Sequence, residues 1–452
     1  MPTQDCRRDR IVRRAAVKDD VFPRTAEFEG PRVVALGGIR LEELAARFGT
    51  PLYVMDRAEL VGRMRAYRQA FGPEVTVAYA AKALCVVGVL QLAAAQGLHL
   101  DVASGGELHT AARALFPMER VVFHGNNKSV EELEYAARLR VGRVVVDSFS
   151  ELERLAEIGK LTDLTFDVLL RVTPGVLPET HDFVATGQDD VKFGFTLSAG
   201  LAHEAAARAL ASDRVCLRGA HCHIGSQITT THGFDAAAEL MLSFLADLRR
   251  THGIQLQELN LGGGLGIAYR QADTTLTIAE YAEALIRAVR NGAACHGLTL
   301  PRLSVEPGRS IVGPAGVTLH TVGTIKRVPG ARTYVSVDGG MSDNLRPALY
   351  GSGYTFRAAG QGYTRAPMVP VTIAGKHCET GDLLAHDVGL PDDLAEGDLL
   401  ATAATGAYGY AMASNYNRLP RPAMVLVGEG RADLLVRRET LDDVVSHDLP
   451  LA

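Results

Sequence analysis

Val75-Thr76-Val77-Ala78-Tyr79-Ala80-Ala81-Lys82 is a short apolar, β-branched run that ends on a lysine, the pattern of a buried strand that delivers a reactive side chain at its C-terminal end. Seven more strand-like runs follow, each closed by a polar or glycine-rich signature. Leu98–Asp101 leads to Ser104, Val121–Phe123 to His124, Val144–Val146 to Asp147, Val168–Leu170 to Arg171, Leu217–Cys222 to His223, Leu259–Leu261 to Gly262-Gly263-Gly264, and Leu303–Val305 to Glu306. Helical periodicity fills the intervals, at Ala58–Phe71, Val86–Gln96, Glu131–Leu139, Ser150–Ile158, Leu201–Ala211, Phe234–Thr251 and Ile278–Asn291. Such alternation makes consecutive βαβ units and a parallel sheet, and eight strand ends carrying chemistry predict a (β/α)8 TIM-like barrel with its reactive groups at the C-terminal mouth. Ser104-Gly105-Gly106-Glu107 has the spacing of a capping box starting the helix after the second strand.

After Pro307 the pattern changes. Val317–Ile325, Thr333–Asp338, Met368–Ala374, Asp398–Ala401, Met424–Gly428 and Ala432–Arg437 read as strands separated by Gly, Pro and Asp turns, which predicts a second, mainly antiparallel β domain. Residues 49–311 are expected to form the barrel, with 26–48 joining 312–452 in the second domain. Residues 1–25, rich in arginine (Arg7, Arg8, Arg10, Arg13, Arg14), are expected to be a frayed basic extension.

Composition narrows the function. The chain has 452 residues and a formal charge of -5 with both signs interspersed, so it can bury a large core and shows no electrostatic footprint for nucleic acid. A small-molecule substrate is expected. The six cysteines form no CxxC pair and no Cys/His cluster, and thiols in a reducing cytosol are the simplest reading. No apolar run is long enough to span a bilayer and the arginine-rich start has no apolar stretch behind it, which predicts a cytoplasmic protein with no membrane contact.

Lys82 by itself is compatible with a solvated loop cation or with a covalent amine. Its apolar flanks, Tyr79-Ala80-Ala81 and Ala83-Leu84, are expected to desolvate it and lower its pKa, as a nucleophilic lysine requires. The triple glycine is compatible with an ordinary turn or with a phosphate cradle, since barrels commonly bind phosphate after strands seven and eight. There Ser226 and Arg309 would add a hydroxyl and a guanidinium to the backbone N–H groups. Glu306 could pair with Arg309 or face a pyridine nitrogen, keeping that ring an electron sink. His223 could be a core histidine, half of an HxH metal pair with His221, or a ring stacked on a planar cofactor.

Taken together, Tyr79-Ala-Ala-Lys82-Ala, Asp101-Val-Ala-Ser-Gly-Gly-Glu107, His181-Asp-Phe-Val-Ala-Thr-Gly with Lys192-Phe-Gly194, His221-Cys-His-Ile-Gly-Ser-Gln227, Asn260-Leu-Gly-Gly-Gly264 and Glu306-Pro-Gly-Arg309 resemble the fold-type III PLP-dependent decarboxylases, and among them the diaminopimelate decarboxylases. The resemblance runs over roughly residues 30 to 445. It continues through Asp338-Gly-Gly-Met341, Arg346-Pro-Ala-Leu-Tyr350, Gly375-Lys-His-Cys378-Glu379-Thr-Gly-Asp382, Gly406-Ala-Tyr408 and Asn415-Tyr-Asn417. Two departures are Leu84, where many members have Asn, and Asp182, where Glu is frequent.

The resemblance implies an alanine racemase-like two-domain architecture and pyridoxal 5'-phosphate as cofactor, joined to Lys82 as a Schiff base. It implies that Ser226, Gly263, Gly264, Glu306, Pro307, Gly308 and Arg309 hold ring and phosphate, that His223 stacks on the ring, and that Tyr408 touches cofactor and substrate. Cys378 is implied as the general acid that reprotonates the α-carbon, delivered with Glu379 by the partner in a homodimer with shared active sites. Arg346 with Tyr350 would take a distal carboxylate and Glu379 a distal ammonium, while Arg309 could reach either the cofactor phosphate or a substrate carboxylate. That charge pattern implies decarboxylation of meso-2,6-diaminopimelate to L-lysine and CO2, the last step of lysine biosynthesis, with no metal. An ornithine- or arginine-like decarboxylase, or a paralogue of secondary metabolism, is the alternative. A PLP-carrier protein would lack the Cys378-Glu379 segment, an alanine racemase would place an arginine where Glu306 stands, and a metallohydrolase would need further ligands around His221 and His223.

Overall fold

Thr76–Ala80 is the first of eight parallel strands that close into a barrel, continued by His99–Val102, Val121–Phe123, Arg143–Val146, Phe166–Thr173, Val215–His221, Glu258–Asn260 and Arg302–Val305. Closure comes from Ser304 and Val305 pairing with Thr76 and Val77. The computed structural model describes residues 21–176, 191–361 and 365–451. The barrel strands are largely buried, with Arg218 and Arg302 the exposed positions, as expected of strands covered on one face by helices and on the other by the barrel interior. Val122, Val145 and Leu169 fill part of that interior. Above them the inward positions turn polar, with Asp101, His124, Arg171, His221, Asn260 and Glu306 all buried.

The connecting helices follow the periodicity. Leu201–Ala211 forms as predicted, while Phe149–Thr162 and Ile278–Cys295 run a turn further than their apolar spacing suggested. The cap at Ser104 is half of the expected box. Its hydroxyl accepts from the Glu107 N–H (3.2 Å), but the Glu107 carboxylate reaches one residue further back, accepting from the Ala103 N–H (2.7 Å). Reciprocal boxes form instead at Ser129/Glu132 and Thr277/Glu280.

The second sheet is mainly antiparallel. It includes the predicted strands, here Gly316–Val328, Arg332–Val337, Met368–Ala374, Leu399–Ala403, Ala423–Gly428 and Arg431–Val436. It also takes Arg32–Leu36 and two strands the pattern did not show, Phe356–Ala359 and Leu383–Pro391. Leu383–Pro391 is half exposed, with His386 and Asp387 outward, so its apolar alternation is broken. Leu52–Asp56, within the span expected for the barrel, is a strand of this second sheet instead. It lies between Gly316–Leu319 and Ala423–Val427 and is fully buried, because Leu52 and Val54 pack with Leu41 and Leu44 on one face while Tyr53 and Met55 pack with Leu60 and Met64 on the other.

Of the expected frayed extension, residues 1–20 lie outside the described residues. Residues 21–25 are packed: Val21 and Phe22 are 2% and 5% exposed, and Arg24 pairs with Glu59 at 2.8 Å. Among the described residues no helix is long and apolar enough to cross a membrane.

Candidate active site

Lys82 sits on a single 3-10 turn, Ala81–Ala83, directly after the first barrel strand. The turn is clamped from both sides: the Tyr79 hydroxyl donates to the Leu84 carbonyl (2.8 Å), and the Tyr408 N–H donates to the Ala83 carbonyl (2.9 Å). The lysine side chain is 44% exposed and lines a cleft of about 270 Å³ at the C-terminal mouth of the barrel. Its amine lies 3.8 Å from Asp101 Oδ2, a buried oxygen with no hydrogen-bond partner. The expectation of a lowered lysine pKa is not met. Burial pulls it down, but Asp101, then Tyr408 and Glu306, outweigh that pull and the net shift is upward. Apolar flanks alone would lower the pKa, and barrel closure adds the carboxylates that reverse the shift.

Glu306 is the best-held group in the cleft. Its Oε1 accepts from His124 Nε2 (2.8 Å) and Asn260 Nδ2 (2.7 Å), and its Oε2 accepts from His221 Nε2 (3.1 Å). Asn260 Oδ1 accepts from the Gly262 N–H (2.9 Å), which fixes the amide so that its donor end faces Glu306. Burial raises this carboxyl, but His124 and His221 outweigh it and hold it well below the usual carboxylate range. It is therefore an oriented anion at neutral pH. Burial lowers His221 to about 4, so that imidazole is neutral. The HxH pairing of His221 with His223 does not form. Among the described residues the groups near enough to share an ion are His124, His221 and Glu306, and each of the two imidazoles gives its Nε2 to the carboxylate.

His223 lies past the end of its strand, where its Nδ1 accepts from the Gly263 N–H (3.3 Å). Burial, Lys82 and Arg171 drive its pKa well below the ordinary value, so it presents a neutral ring to the cleft. Around it the glycines are needed for space. A Cβ on Gly263 would stand 2.2 Å from the Glu306 carbonyl oxygen, and one on Gly264 (φ +123) 2.6 Å from that of Gly225. Gly308 packs on Ala80, whose N–H donates to the Pro307 carbonyl (3.1 Å). Gly264, Gly308, Ser226 and Arg309 line a narrower recess beside Lys82. Arg309 turns away from Glu306, donating from Nε and Nη2 to Ser226 Oγ (3.3 and 2.9 Å) and from Nη1 to Tyr269 Oη (2.5 Å).

At the outer end Arg346 is buried, donating from Nε to Tyr354 Oη (3.0 Å) and from Nη2 to Ser352 Oγ (3.2 Å). Tyr350 and Tyr408 line the cleft with it. Cys378 and Glu379 do not: both are exposed and absent from the cleft wall of their own chain. Their turn is nonetheless fixed, because Asp382 accepts from the His377 N–H (2.9 Å) and Nδ1 (2.7 Å), and Asn417 Oδ1 accepts from the Cys378 N–H (2.9 Å). The motif beginning at His181, with Asp182, lies outside the described residues. Its companion Phe193 lines the cleft with Arg171, whose guanidinium stacks on that ring at 4.2 Å.

The sequence places Arg171 at a strand end and Asn260 at the head of a motif without giving either a role, and it shows neither Tyr269 nor the pairing of His124 and His221 with Glu306. The available signal was position at a strand end, which marks the mouth but not the partner. The donor set suits a phosphorylated pyridine aldehyde: an amine beside an anionic carboxylate, a neutral flat ring, and a glycine-lined recess with a hydroxyl and a guanidinium.

The family model for the pyridoxal-dependent decarboxylase, pyridoxal binding domain, matches residues 57–313. Diaminopimelate decarboxylase of Bacillus subtilis (strain 168) is 51% identical over 418 residues, covering 92% of this chain and 95% of that one. The Mycobacterium tuberculosis (strain ATCC 25618 / H37Rv) enzyme of that name is 46% identical over 438 residues, covering 95% and 98%. A crystal structure of diaminopimelate decarboxylase from M. jannaschii in complex with L-lysine superposes with a TM-score of 0.88 at 36% identity, covering 95% and 98%. With the family model over more than half the chain and such relatives over nearly all of it, the chain belongs to the pyridoxal-dependent decarboxylases, in the diaminopimelate decarboxylase family.

Proposed function

We propose that this chain decarboxylates meso-2,6-diaminopimelate to L-lysine and CO2 with pyridoxal 5'-phosphate. The observation that carries the substrate reading is Arg346, a buried guanidinium at the outer end of the cleft with no carboxylate partner among the described residues. A buried cation without a counter-ion is costly, so such a site is built for an anion that arrives with the substrate. Ornithine has no distal carboxylate to offer it.

When bound, pyridoxal phosphate supplies a ring that takes up the electron pair left as CO2 departs. Lys82 would hold the cofactor through its side-chain amine. Glu306, ionised and aimed by His124, His221 and Asn260, holds a proton on the ring nitrogen. His223 covers one face, while Ser226, the Gly263-Gly264 backbone, the Pro307-Gly308 turn and Arg309 hold the phosphate end. Arg346 and Tyr350 orient the distal carboxylate beside Tyr408.

The proposal includes a homodimer in which Cys378 and Glu379 of a second copy enter the cleft, Cys378 to return the proton to the α-carbon and Glu379 to bind the distal ammonium. The exposed, well-braced turn that carries them supports this reading. The test is direct. The purified protein reconstituted with pyridoxal phosphate should release CO2 from meso-diaminopimelate, yield L-lysine and leave ornithine untouched. Lys82→Ala should abolish turnover and the borohydride-reducible link to the cofactor. Equal rates on ornithine would overturn the substrate assignment.

A further inference from the structure

Arg309 and Arg346, both about 5–6% exposed, share one cleft, yet neither is within ion-pair distance of a carboxylate among the described residues. Two like charges buried together repel strongly unless something separates and neutralises them. Here the separation is made by tyrosines. Tyr269 accepts from Arg309 Nη1 through its hydroxyl (2.5 Å) and lies under the Arg346 guanidinium at 5.7 Å through its ring. Tyr408 offers its ring to both, at 4.7 Å from Arg309 and 5.9 Å from Arg346.

Tyr354 completes the arrangement by accepting from Arg346 Nε (3.0 Å). Its ring meets Tyr269 edge-on, with centroids 4.9 Å apart and planes at 72°. Tyr269 belongs to the loop after the seventh barrel strand, whereas Tyr354 precedes a strand of the second sheet. The two segments are tied by Thr355 Oγ1 donating to the Tyr269 carbonyl (2.8 Å). Because Tyr354 and Ser352 occupy Nε and one Nη2 hydrogen, the Nη1 side of the Arg346 guanidinium is the side left for a carboxylate.

We propose that Tyr269 and Tyr354 are positioning residues that divide the cleft into two anion sites, Tyr269 aiming Arg309 at the cofactor phosphate and Tyr354 aiming Arg346 at the distal carboxylate. Their contact across the junction of barrel and sheet sets the distance between the two anions. It thereby selects substrates by the length of chain between the reacting amine and the far carboxylate. This inference deepens the proposed function and rests on it for the identity of the two anions.

Tyr→Phe at each position removes one hydroxyl and keeps the ring, so each variant should fold. L-Lysine retains the carboxylate that Arg346 would hold, and 1,5-diaminopentane retains none. Tyr354→Phe should therefore raise KM for meso-diaminopimelate and the dissociation constant of L-lysine together, by about tenfold for one lost hydrogen bond to a charged group. Its kcat, cofactor affinity and inhibition by 1,5-diaminopentane should stay within about twofold of wild type, a window smaller than one such bond. Tyr269→Phe should instead weaken pyridoxal phosphate binding to the cofactor-free protein by about tenfold, followed by absorbance titration.

A fall in kcat with KM unchanged in Tyr354→Phe, or equal weakening of L-lysine and 1,5-diaminopentane, would overturn the assignment of Tyr354. Unaltered cofactor affinity in Tyr269→Phe would overturn that of Tyr269. The lysine and cofactor titrations need no turnover. A wild-type protein inactive on meso-diaminopimelate thus refutes the substrate reading separately from the division of the cleft.

Discussion

Glu306 concentrates the site's electrostatics in one carboxylate held by three donors. Glu306→Gln keeps the shape but removes the charge that, under the proposed function, would hold a proton on the ring nitrogen. It should still bind the cofactor yet lose decarboxylation by orders of magnitude, about 3 kcal/mol or more in barrier for one lost electrostatic partner. A near-normal rate in stopped CO2-release assays would make the carboxylate structural. His221 adds a pH dependence. Its folded pKa, about 4, lies below the ordinary value of 6.5, so the unfolded chain binds the extra proton first as pH falls. Stability from this group is intact above the unfolded pKa and declines as pH drops from about 6.5 to about 4, by up to about 3 kcal/mol. His221→Gln should flatten that part of the stability curve, measured by denaturant unfolding at pH 7 and 5. The sequence showed Glu306 at a strand end and His221 within the run that leads to His223, but not that one holds the other.

Among the elements, the loop after the third barrel strand carries His124 to Glu306, and a buried ion pair secures it. Lys128 Nζ donates to Glu151 (2.6 Å) and to the Gly125 and Val145 carbonyls (both 2.8 Å), so it ties the loop to the next strand and helix. Both side chains are almost fully buried. Lys128→Met would strand Glu151 as an uncompensated buried charge and should cost about 3–5 kcal/mol. Adding Glu151→Leu should recover part of the loss, which unfolding curves of the two variants would show. If the double variant were no more stable than the single, the pair's charge would not be the cause. Helix and strand periods could not reveal this pair, since a Lys and a Glu separated by 23 positions look like two solvated charges.

At the scale of the whole molecule, the site belongs to both folding units. The barrel supplies Lys82, His223 and Glu306, while the second sheet's segments supply Arg346, Tyr350 and Tyr408. Cys378 and Glu379 lie outside that cleft, which under the proposed two-fold assembly places them in the neighbouring one. Mixing inactive Lys82→Ala with inactive Cys378→Ala protein should then restore up to about a quarter of wild-type activity, because half of randomly formed dimers are hybrids with one intact site. Absence of recovery, once subunit exchange is verified by mass, would sink the shared-site arrangement.

The eight strand ends, the triple glycine and the switch to a second β unit were legible in the sequence because alternation, turn chemistry and strand-end residues are local. The family motifs extended that reading to the cofactor and the lysine. Which groups meet was decided by barrel closure. His124 and His221 reach Glu306 across 182 and 85 positions of chain, Arg309 turns to Ser226 and Tyr269 rather than to Glu306, and Asp101 reverses the expected shift at Lys82. Charges and hydrogen bonds act through distances of a few ångströms in space, and a strand pattern specifies those distances only after the sheet has closed.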